Sequence, residues 1–205
     1  MATVTRLYDN YDEARRAVTD LVAAGIPDSD ISLVARNLED RQPAGGTMVD
    51  ADRDGHDDRG EAASSGAGIG ALLGGGAGLL AGLGIMAIPG IGPVVAAGWL
   101  ASTALGAAVG GAAGGIIGAL TEAGVSEEDA HVYAEGVRRG GTLITARVPD
   151  ARRGEIEALL AGYGTDAATI GNTYRGTGWS GFDPAAPELT PEEIRRERER
   201  NSRIV

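Results

Sequence analysis

The sequence predicts an α+β fold in which an antiparallel sheet carries an inserted helical hairpin. When residues 37–140 are left out, the apolar periodicity gives the order strand, helix, strand, strand, helix, strand. Within that range, no charged residue occurs between Glu61 and Glu122, and glycine recurs at every fourth position over long stretches. The first pattern predicts a small domain, and the second predicts two closely packed helices.

The first half of the predicted domain begins with a strand at residues 3–8, followed by a helix. Asn10 and Glu13 have the spacing of a capping box, which opens that helix. Alanine, valine and leucine at three- and four-residue spacings give the helix an apolar face, and Gly25 ends it. Residues 31–36 then form a predicted second strand.

The second half begins with a helix that Ser126 caps and that ends before the glycine pair at residues 140–141. Residues 142–148 alternate as a strand, Asp150 caps a further helix, and residues 168–171 give a short last strand. This order is the ferredoxin-like βαββαβ pattern, in which two helices cover one face of an antiparallel sheet. The hairpin is inserted between strands 2 and 3.

The inserted segment predicts a glycine zipper, in which glycines on one helix face let two helix backbones nearly touch. A breaker made of proline and glycine divides the segment, so we expect a helical hairpin. The helix-packing positions are Gly66, Gly70, Gly74, Gly78, Gly82, Gly98, Ser102, Gly106, Gly110, Gly114 and Gly118. The predicted turn residues are Pro89, Gly90, Gly92 and Pro93.

The outer face of this hairpin is buried in one of two ways. Residues 66–88 and 94–120 are each long enough to cross a hydrocarbon core of about 30 Å, and Trp99 lies where an aromatic ring marks a membrane interface. Many of these residues are glycine and alanine, which contribute little transfer energy, and the flanking charges are acidic. The alternative is burial against other copies in a homo-oligomer. The sequence leaves membrane association and self-association open.

Composition shifts divide the chain into five segments. In the C-terminal one, Trp179 and Phe182 either dock onto the domain or an unknown partner, or are incidental aromatics in a solvated tail, which is the favoured interpretation. Thr190 and Glu193 form a capping box for a charged helix from residue 191 to about residue 200. The predicted segments are 1–36 and 123–171 for the two halves of the domain, 37–61 for an acidic linker, 62–122 for the hairpin and 172–205 for a flexible tail.

The composition excludes several classes of function. The chain has no cysteine, so disulfides, zinc-thiolate sites and thiol catalysis are excluded. A formal net charge of -11 argues against nucleic-acid binding, because neutralising phosphates requires a concentrated basic surface. The start of the chain lacks the basic and apolar regions of a signal peptide, so we expect a cytoplasmic domain.

Four stretches of the chain carry a family resemblance. They are Val4-Thr-Arg-Leu-Tyr-Asp, Gly25-Ile-Pro-Asp-Ser-Asp-Ile-Ser-Leu-Val, Ile88-Pro-Gly-Ile-Gly-Pro and Glu128-Asp-Ala-His-Val-Tyr-Ala-Glu-Gly-Val-Arg-Arg-Gly-Gly-Thr-Leu-Ile. With these motifs, residues 2–171 resemble the general stress protein family, also called heat-induced stress proteins (YflT-like). The resemblance implies a stress-linked, non-enzymatic bacterial protein and supplies no catalytic residues.

One stretch of the acidic linker has the spacing of an EF-hand calcium loop. It matches the pattern D-x-D-x-D-G-x5-E, in which oxygen ligands surround the cation. No helix is predicted before it, and an acidic linker produces such a pattern by composition alone. A calcium- or ligand-responsive regulatory module is therefore the alternative function. The candidate calcium ligands are Asp50, Asp52, Asp54, His56 through its carbonyl, Asp58 and Glu61.

The sequence contains no constellation of residues for catalysis. Gly66 opens a G-x-G-x-x-A pattern that imitates a dinucleotide fingerprint, but the strand that the fingerprint requires is not predicted before it. His56 and His131 lie in different segments, and we expect His131 to be a hydrogen-bonded, partly exposed side chain. We therefore expect no enzymatic activity and no cofactor other than the calcium alternative.

Overall fold

The computed structural model describes residues 1–36, 84–88, 90–100 and 115–201. Within these ranges the chain is a mixed α+β structure whose strands are β1 (Ala2–Tyr8), β2 (Ile31–Arg36), β3 (Gly84–Ile88), β4 (Gly92–Gly98) and β5 (Thr142–Val148). They form a fully antiparallel, five-stranded sheet in the order β1-β5-β2-β4-β3. The α+β class and the antiparallel sheet are confirmed.

The predicted helix starts are mostly confirmed. The Asn10 side chain accepts a hydrogen bond of 2.9 Å from the backbone N–H of Glu13, and Ser126 caps its helix in the same way. Asp150 does not act as a cap, because its carboxylate binds the amino terminus at 3.0 Å and a 3-10 turn precedes the helix. The described helices are α1 (Tyr11–Ala23), α2 (Gly115–Glu122), α3 (Glu127–Arg138), α4 (Arg153–Leu160), α5 (Ala167–Gly176) and α6 (Pro191–Asn201).

Helices cover both faces of the sheet, whereas the sequence predicts helices on one face only. In β2 and β5, consecutive residues such as Leu33 and Val34, or Leu143 and Ile144, are apolar and point to opposite faces. α1 and α4 pack on one face, and α2, α3 and α5 pack on the other. The second layer is required because a sheet that is apolar on both sides must be buried on both.

Residues 84–88 and 94–98, which the sequence places in the two zipper helices, lie in the two strands of a β-hairpin instead. β3 and β4 pair in the register Gly84↔Ala96 and Ile88↔Gly92, and β4 also pairs with β2. The predicted turn is a turn, but it joins two strands. Short runs of isoleucine and valine fit a buried strand as well as a helix, and pairing with β2 decides between them here. α2, farther along the predicted hairpin, is helical as expected.

The predicted last strand, residues 168–171, is part of helix α5. The Asp166 side chain accepts a hydrogen bond of 2.8 Å from the backbone N–H of Thr169, which makes Asp166 the N-cap. Ile170 and Tyr174, four residues apart, are buried on one side of the helix. The apolar run was too short to distinguish a strand from a helix, and the cap decides in favour of the helix.

The C-terminal tail, which the sequence predicts to be flexible, packs on the domain. Phe182 is 7% exposed and Ile194, on α6, is 0% exposed. Trp179 packs on the same apolar cluster as Phe182, and its ring lies edge-on to Tyr174 with centroids 5.7 Å apart. The aromatic residues therefore dock the tail onto the domain, because burial removes their apolar surface from water.

The capping box of the tail helix is confirmed. The Glu193 carboxylate accepts a hydrogen bond of 2.8 Å from the backbone N–H of Thr190, and the Thr190 hydroxyl accepts one of 3.3 Å from the Glu193 backbone. The hydrogen bonds that the Thr190 N–H and the Thr190 hydroxyl donate to the Glu193 carboxylate lower the pKa of that group. The cap fixes the start of α6 immediately after the tail crosses the domain.

Candidate functional site

Both glycine-rich stretches outside the described residues are attached to the same side of the sheet. Residues 37–83 lie between β2 and β3, and residues 101–114 lie between β4 and α2. β2, β4 and β3 are consecutive neighbours, with β3 at the edge, and we call these three strands the hairpin side of the sheet. Gly115 of α2 lies against β3, since a Cβ added to it would be 3.3 Å from the Ile88 Cγ2 atom.

Gly98 lies in β4 rather than in a packing helix, and its lack of a side chain lets β4 approach β2 closely. Its φ of +85° lies in the left-handed region that favours glycine. A Cβ there would collide with the carbonyl oxygen of Ile31 and lie 2.8 Å from the Cα of Ser32. Beyond Gly98, the Leu100 N–H donates a 2.9 Å hydrogen bond to the Ser32 hydroxyl. Together these contacts close the end of β4 onto the start of β2.

The predicted turn residues lie against the C-terminal tail. Gly90 has a φ of +75°, and a Cβ there would be 2.8 Å from the Cα of Pro184 and 2.9 Å from the carbonyl oxygen of Asp183. Gly92 and Pro93 are the first residues of β4. The tail therefore crosses the tip of the β3–β4 hairpin at backbone distance, a contact that no local sequence pattern predicts.

Most of the predicted site residues lie outside the described residues, so the predictions made for them stay predictions. Of the zipper positions only Gly98 and Gly118 are described, and Gly118 lies in α2. The undescribed ones are the zipper residues Gly66, Gly70, Gly74, Gly78, Gly82, Ser102, Gly106, Gly110 and Gly114, the turn residue Pro89, and the calcium candidates Asp50, Asp52, Asp54, His56, Asp58 and Glu61.

Two searches of the described residues bear on metal binding and membrane crossing. Within residues 1–36, 84–88, 90–100 and 115–201, no group of three or more His, Asp or Glu side chains is placed to hold a metal ion. Among the helices of those same ranges, none combines the length and the hydropathy needed to cross a bilayer.

A network of charged side chains joins α3 to the tail. The Glu135 side chain is 2% exposed, and its carboxylate pairs with Arg138 at 3.2 Å and with Arg139 at 2.7 Å. Arg139 also pairs with Glu197 of α6 at 3.2 Å, and its guanidinium carbon lies 4.3 Å from the centre of the Tyr174 ring. Since each buried charge has partners of opposite sign, the network holds elements together and offers no free carboxylate for acid–base chemistry.

Arg36, the last residue of β2, belongs to the same network, and its side chain is 6% exposed. Its Nη1 donates to the carbonyl oxygen of Arg138 at 3.1 Å, and its Nη2 donates to the carbonyl oxygen of Leu189 at 2.7 Å. Burial lowers the pKa of the Arg36 guanidinium, and Glu188, 3.8 Å away, opposes the shift. The point at which residues 37–83 begin is therefore covered by the tail. We call Arg36, Arg138, Arg139 and Glu135 the arginine network.

The opposite edge of the sheet, at β1, is closed. Thr165 exchanges two backbone hydrogen bonds of 3.0 and 2.8 Å with Leu7. The Tyr133 hydroxyl donates to the carbonyl oxygen of Thr5 at 2.8 Å and accepts from the backbone N–H of Ala167 at 3.2 Å. Burial raises the pKa of Tyr133 to about 12. Tyr133 and Val137 lie four residues apart on one helix, a spacing that predicts that Tyr133 is buried. The spacing does not predict the partners of the Tyr133 hydroxyl, which are distant in the sequence.

Other buried polar groups of the described residues serve the structure. The Thr5 and Thr145 hydroxyls bond across β1 and β5 at 3.4 Å. His131 lies on α3 and is partly exposed, as expected, but its buried Nδ1 has no hydrogen-bond partner among the described residues, contrary to the expectation of a hydrogen bond. The candidate site is therefore the hairpin side of the sheet together with the tail that crosses it.

Comparison of the chain with family models, with curated proteins and with solved structures finds no match. The resemblance to general stress proteins therefore stays a prediction. The functional argument rests on the geometry of the hairpin side and on the composition of the segments attached to it.

Proposed function

We propose that this chain is a non-enzymatic protein that associates with copies of itself through its glycine-rich segments, which the α+β domain carries. The observation that supports the proposal is the attachment of both segments to the hairpin side of the sheet. Residues 37–83 connect β2 to β3, and residues 101–114 connect β4 to α2, so both segments join the same part of the domain. Helix packing through glycine requires such proximity. A stress-linked role, which the family resemblance implies, is part of the proposal.

The lengths of the segments favour self-association over a membrane-crossing hairpin. The 14 residues between Leu100 and Gly115 extend about 21 Å as a helix, at 1.5 Å per residue. The 18 residues from 66 to 83 extend about 27 Å by the same measure. A hydrocarbon core of about 30 Å requires about 20 residues. The shorter segment therefore fits a helix–helix contact better than a membrane span, and membrane association is the alternative outcome of the test.

We also interpret β1, α1, β2, β5 and α4 as a ferredoxin-like unit. β5 lies between β1 and β2 and is antiparallel to both, while α1 connects those two strands in the chain. This is the split βαβ order of that fold. Thr165 bonds to the free side of β1, where the fourth strand of the pattern pairs. The β3–β4 hairpin and the second helical layer are then additions to the unit.

The test of the proposed function is a pair of substitutions on the zipper face, Gly74→Leu together with Gly110→Leu. Leucine at these positions holds the helix backbones apart, so we expect the assembly to be lost in sedimentation velocity. The control is Gly76→Leu with Ala112→Leu, which adds leucines about 200° around each helix, away from the glycine face. Flotation with liposomes measures membrane partition in parallel. Unchanged assembly together with unchanged partition in the zipper variant would contradict the proposal.

A further inference from the structure

We infer that residues 178–197 form a releasable strap, and that the docked strap restricts self-association at the hairpin side of the sheet. In the released state, a second copy of this chain takes the surface that the strap covers. The inference rests on the proposed function and deepens it, because it names the element that controls association.

The strap lies over the places where the glycine-rich segments join the domain. It touches the hairpin tip at Gly90. It also covers Arg36, whose Nη2 donates to the carbonyl oxygen of Leu189 at 2.7 Å, and residues 37–83 begin directly after Arg36. Gly115, which follows the other segment, lies beside Ile88 of the same hairpin. A docked strap therefore covers the start of residues 37–83 and lies against the hairpin that Gly115 contacts at the end of residues 101–114.

Side-chain contacts, rather than strand or helix pairing, hold the strap. Between α5 and α6, where every residue is described, the chain forms neither a helix nor a strand. Arg138 donates to the carbonyl oxygen of Pro187 at 3.1 Å, and Arg139 pairs with Glu197 at 3.2 Å. The Glu188 side chain near Arg36 is 54% exposed. The Arg36–Glu188 pair, at 3.8 Å and with this exposure, is weakened by salt and contributes little. The Arg139–Glu197 pair, whose side chains are 16% and 18% exposed, is the main charged contact of the strap.

The end of the strap folds only when it is docked. α6 has 11 residues, most of them glutamate or arginine, and Ile194 is its one buried apolar side chain among the described residues. A helix of this length is marginal in water on its own, so the docking of Ile194 and the formation of α6 are coupled. Segments with few buried apolar contacts open at the lowest free energies in a protein, and the strap has this character.

Release of the strap exposes a basic surface that attracts an acidic partner. Undocking removes Glu188 from Arg36 and Glu197 from Arg139, while Glu135 stays paired with Arg138 and Arg139. The result is a basic patch on a chain whose net charge is -11, so another copy is attracted to it. Phe182 leaves the apolar cluster that contains Ile88 and Ile91, which uncovers apolar surface beside the edge strand β3.

Two variants test the inference. Ile194→Gln removes the apolar anchor, and Glu197→Arg places a like charge beside Arg139. The control is Glu192→Arg, which makes the same charge change on α6 at a side chain that is 72% exposed and pairs with Arg196 on the same helix. Release is measured by hydrogen exchange of the α6 amides, and association by sedimentation velocity over a range of concentrations. Wild-type exchange in residues 142–148 shows that each variant keeps its fold.

We expect both release variants to speed α6 exchange about tenfold or more and to lower the concentration of half-association several-fold, with the control unchanged in both. Unchanged α6 exchange in both variants would contradict the inference that the strap is releasable. Faster α6 exchange with unchanged association would contradict the inference that the strap restricts association. The release variants are also combined with Gly74→Leu and Gly110→Leu. If association still rises by the same factor in that background, the strap controls association but the glycine-rich segments do not form the contact. That result would contradict the proposed function and leave the strap inference intact.

Discussion

The two edges of the sheet use their backbone groups differently. At β1, Thr165 pairs with Leu7, and the Tyr133 hydroxyl binds the Thr5 carbonyl. At β3, no further strand pairs with the edge within the described part of the chain, and the glycine-rich segments begin or end on the strands beside it. Proteins block the edges that they do not use, because an open edge pairs with other chains. For the self-association that we propose, the comparison favours the hairpin side as the contact surface.

The two sides also differ in how they pack. The β1 side is filled by large buried side chains such as Tyr8 and Ile144. On the hairpin side, Ile31 and Val94 are buried as well, but β4 contributes the small residues Ala96 and Ala97. Gly98 meets the backbone of β2 more closely than any other described glycine meets a backbone. Close backbone approach tolerates no added atoms, whereas a core of large side chains adjusts in part by repacking. We therefore expect the largest effects of single substitutions on the hairpin side.

The largest effect is expected from Gly98→Ala. The added Cβ collides with the Ile31 carbonyl oxygen, and the φ of +85° is unfavourable for alanine. The backbone cannot relieve the collision or the unfavourable φ without breaking the pairing of β2 with β4. We therefore expect a loss of at least about 3 kcal/mol in the free energy of unfolding. Urea denaturation followed by circular dichroism measures it.

Gly154→Ala is the matched control for that variant. A Cβ at Gly154, in the first turn of α4, meets nothing within 4 Å. Because alanine is the better helix former, we expect a gain of about 0.5 to 1 kcal/mol. Equal urea midpoints for the two alanine variants would show that the hairpin side is not held by backbone approach.

The next effect is expected at the closed edge from Tyr133→Phe. The substitution leaves the buried Ala167 N–H without its hydrogen-bond partner, while the Thr5 carbonyl keeps only the donor from Arg6 at 3.0 Å. An unsatisfied buried group costs about 1 to 3 kcal/mol, so we expect a loss of that size in the free energy of unfolding. Tyr163→Phe, at a residue that is 62% exposed, is the control and should unfold like the wild type.

The same tyrosine gives a pH prediction. Burial raises the pKa of Tyr133 to about 12, while the unfolded chain ionises near 10. The unfolded state therefore releases this proton first, and the stability contributed by the hydroxyl, present below pH 10, falls between about pH 10 and 12. The difference in unfolding free energy between the wild type and Tyr133→Phe should shrink in that window. A constant difference would contradict the assignment.

The smallest effect is expected from Asp166→Ala, which removes the N-cap of α5 beside the closed edge, at a cost of about 1 kcal/mol at pH 7. The hydrogen bond from the Thr169 N–H lowers the pKa of Asp166. Its contribution is therefore present above the unfolded pKa of about 3.9 and is lost as the pH falls through the folded pKa. Asp166→Asn, which keeps a capping oxygen, should stay near wild-type stability at pH 7. A calorimetric difference between wild type and Asp166→Ala that persists in strong acid would refute the cap.

Local patterns were enough to predict β1, β2, β5, α1, α3 and α6, because caps and periodicity lie within a few residues. They failed at residues 84–98, where the glycine spacing predicted helices but pairing with β2 decides. They also failed at residues 168–171, a run too short to show its period. The hydrogen bonds from Arg36 to Arg138 and from Tyr133 to Thr5 join residues more than 100 positions apart, and no local pattern contains them.

Hydrogen exchange at low and high protein concentration tests the central claim most directly. If copies associate through the hairpin side, raising the concentration should slow exchange in residues 84–98 and leave residues 2–8 at the same rate. Concentration-dependent protection of residues 2–8, or no added protection in residues 84–98 under conditions where sedimentation shows association, would contradict the account.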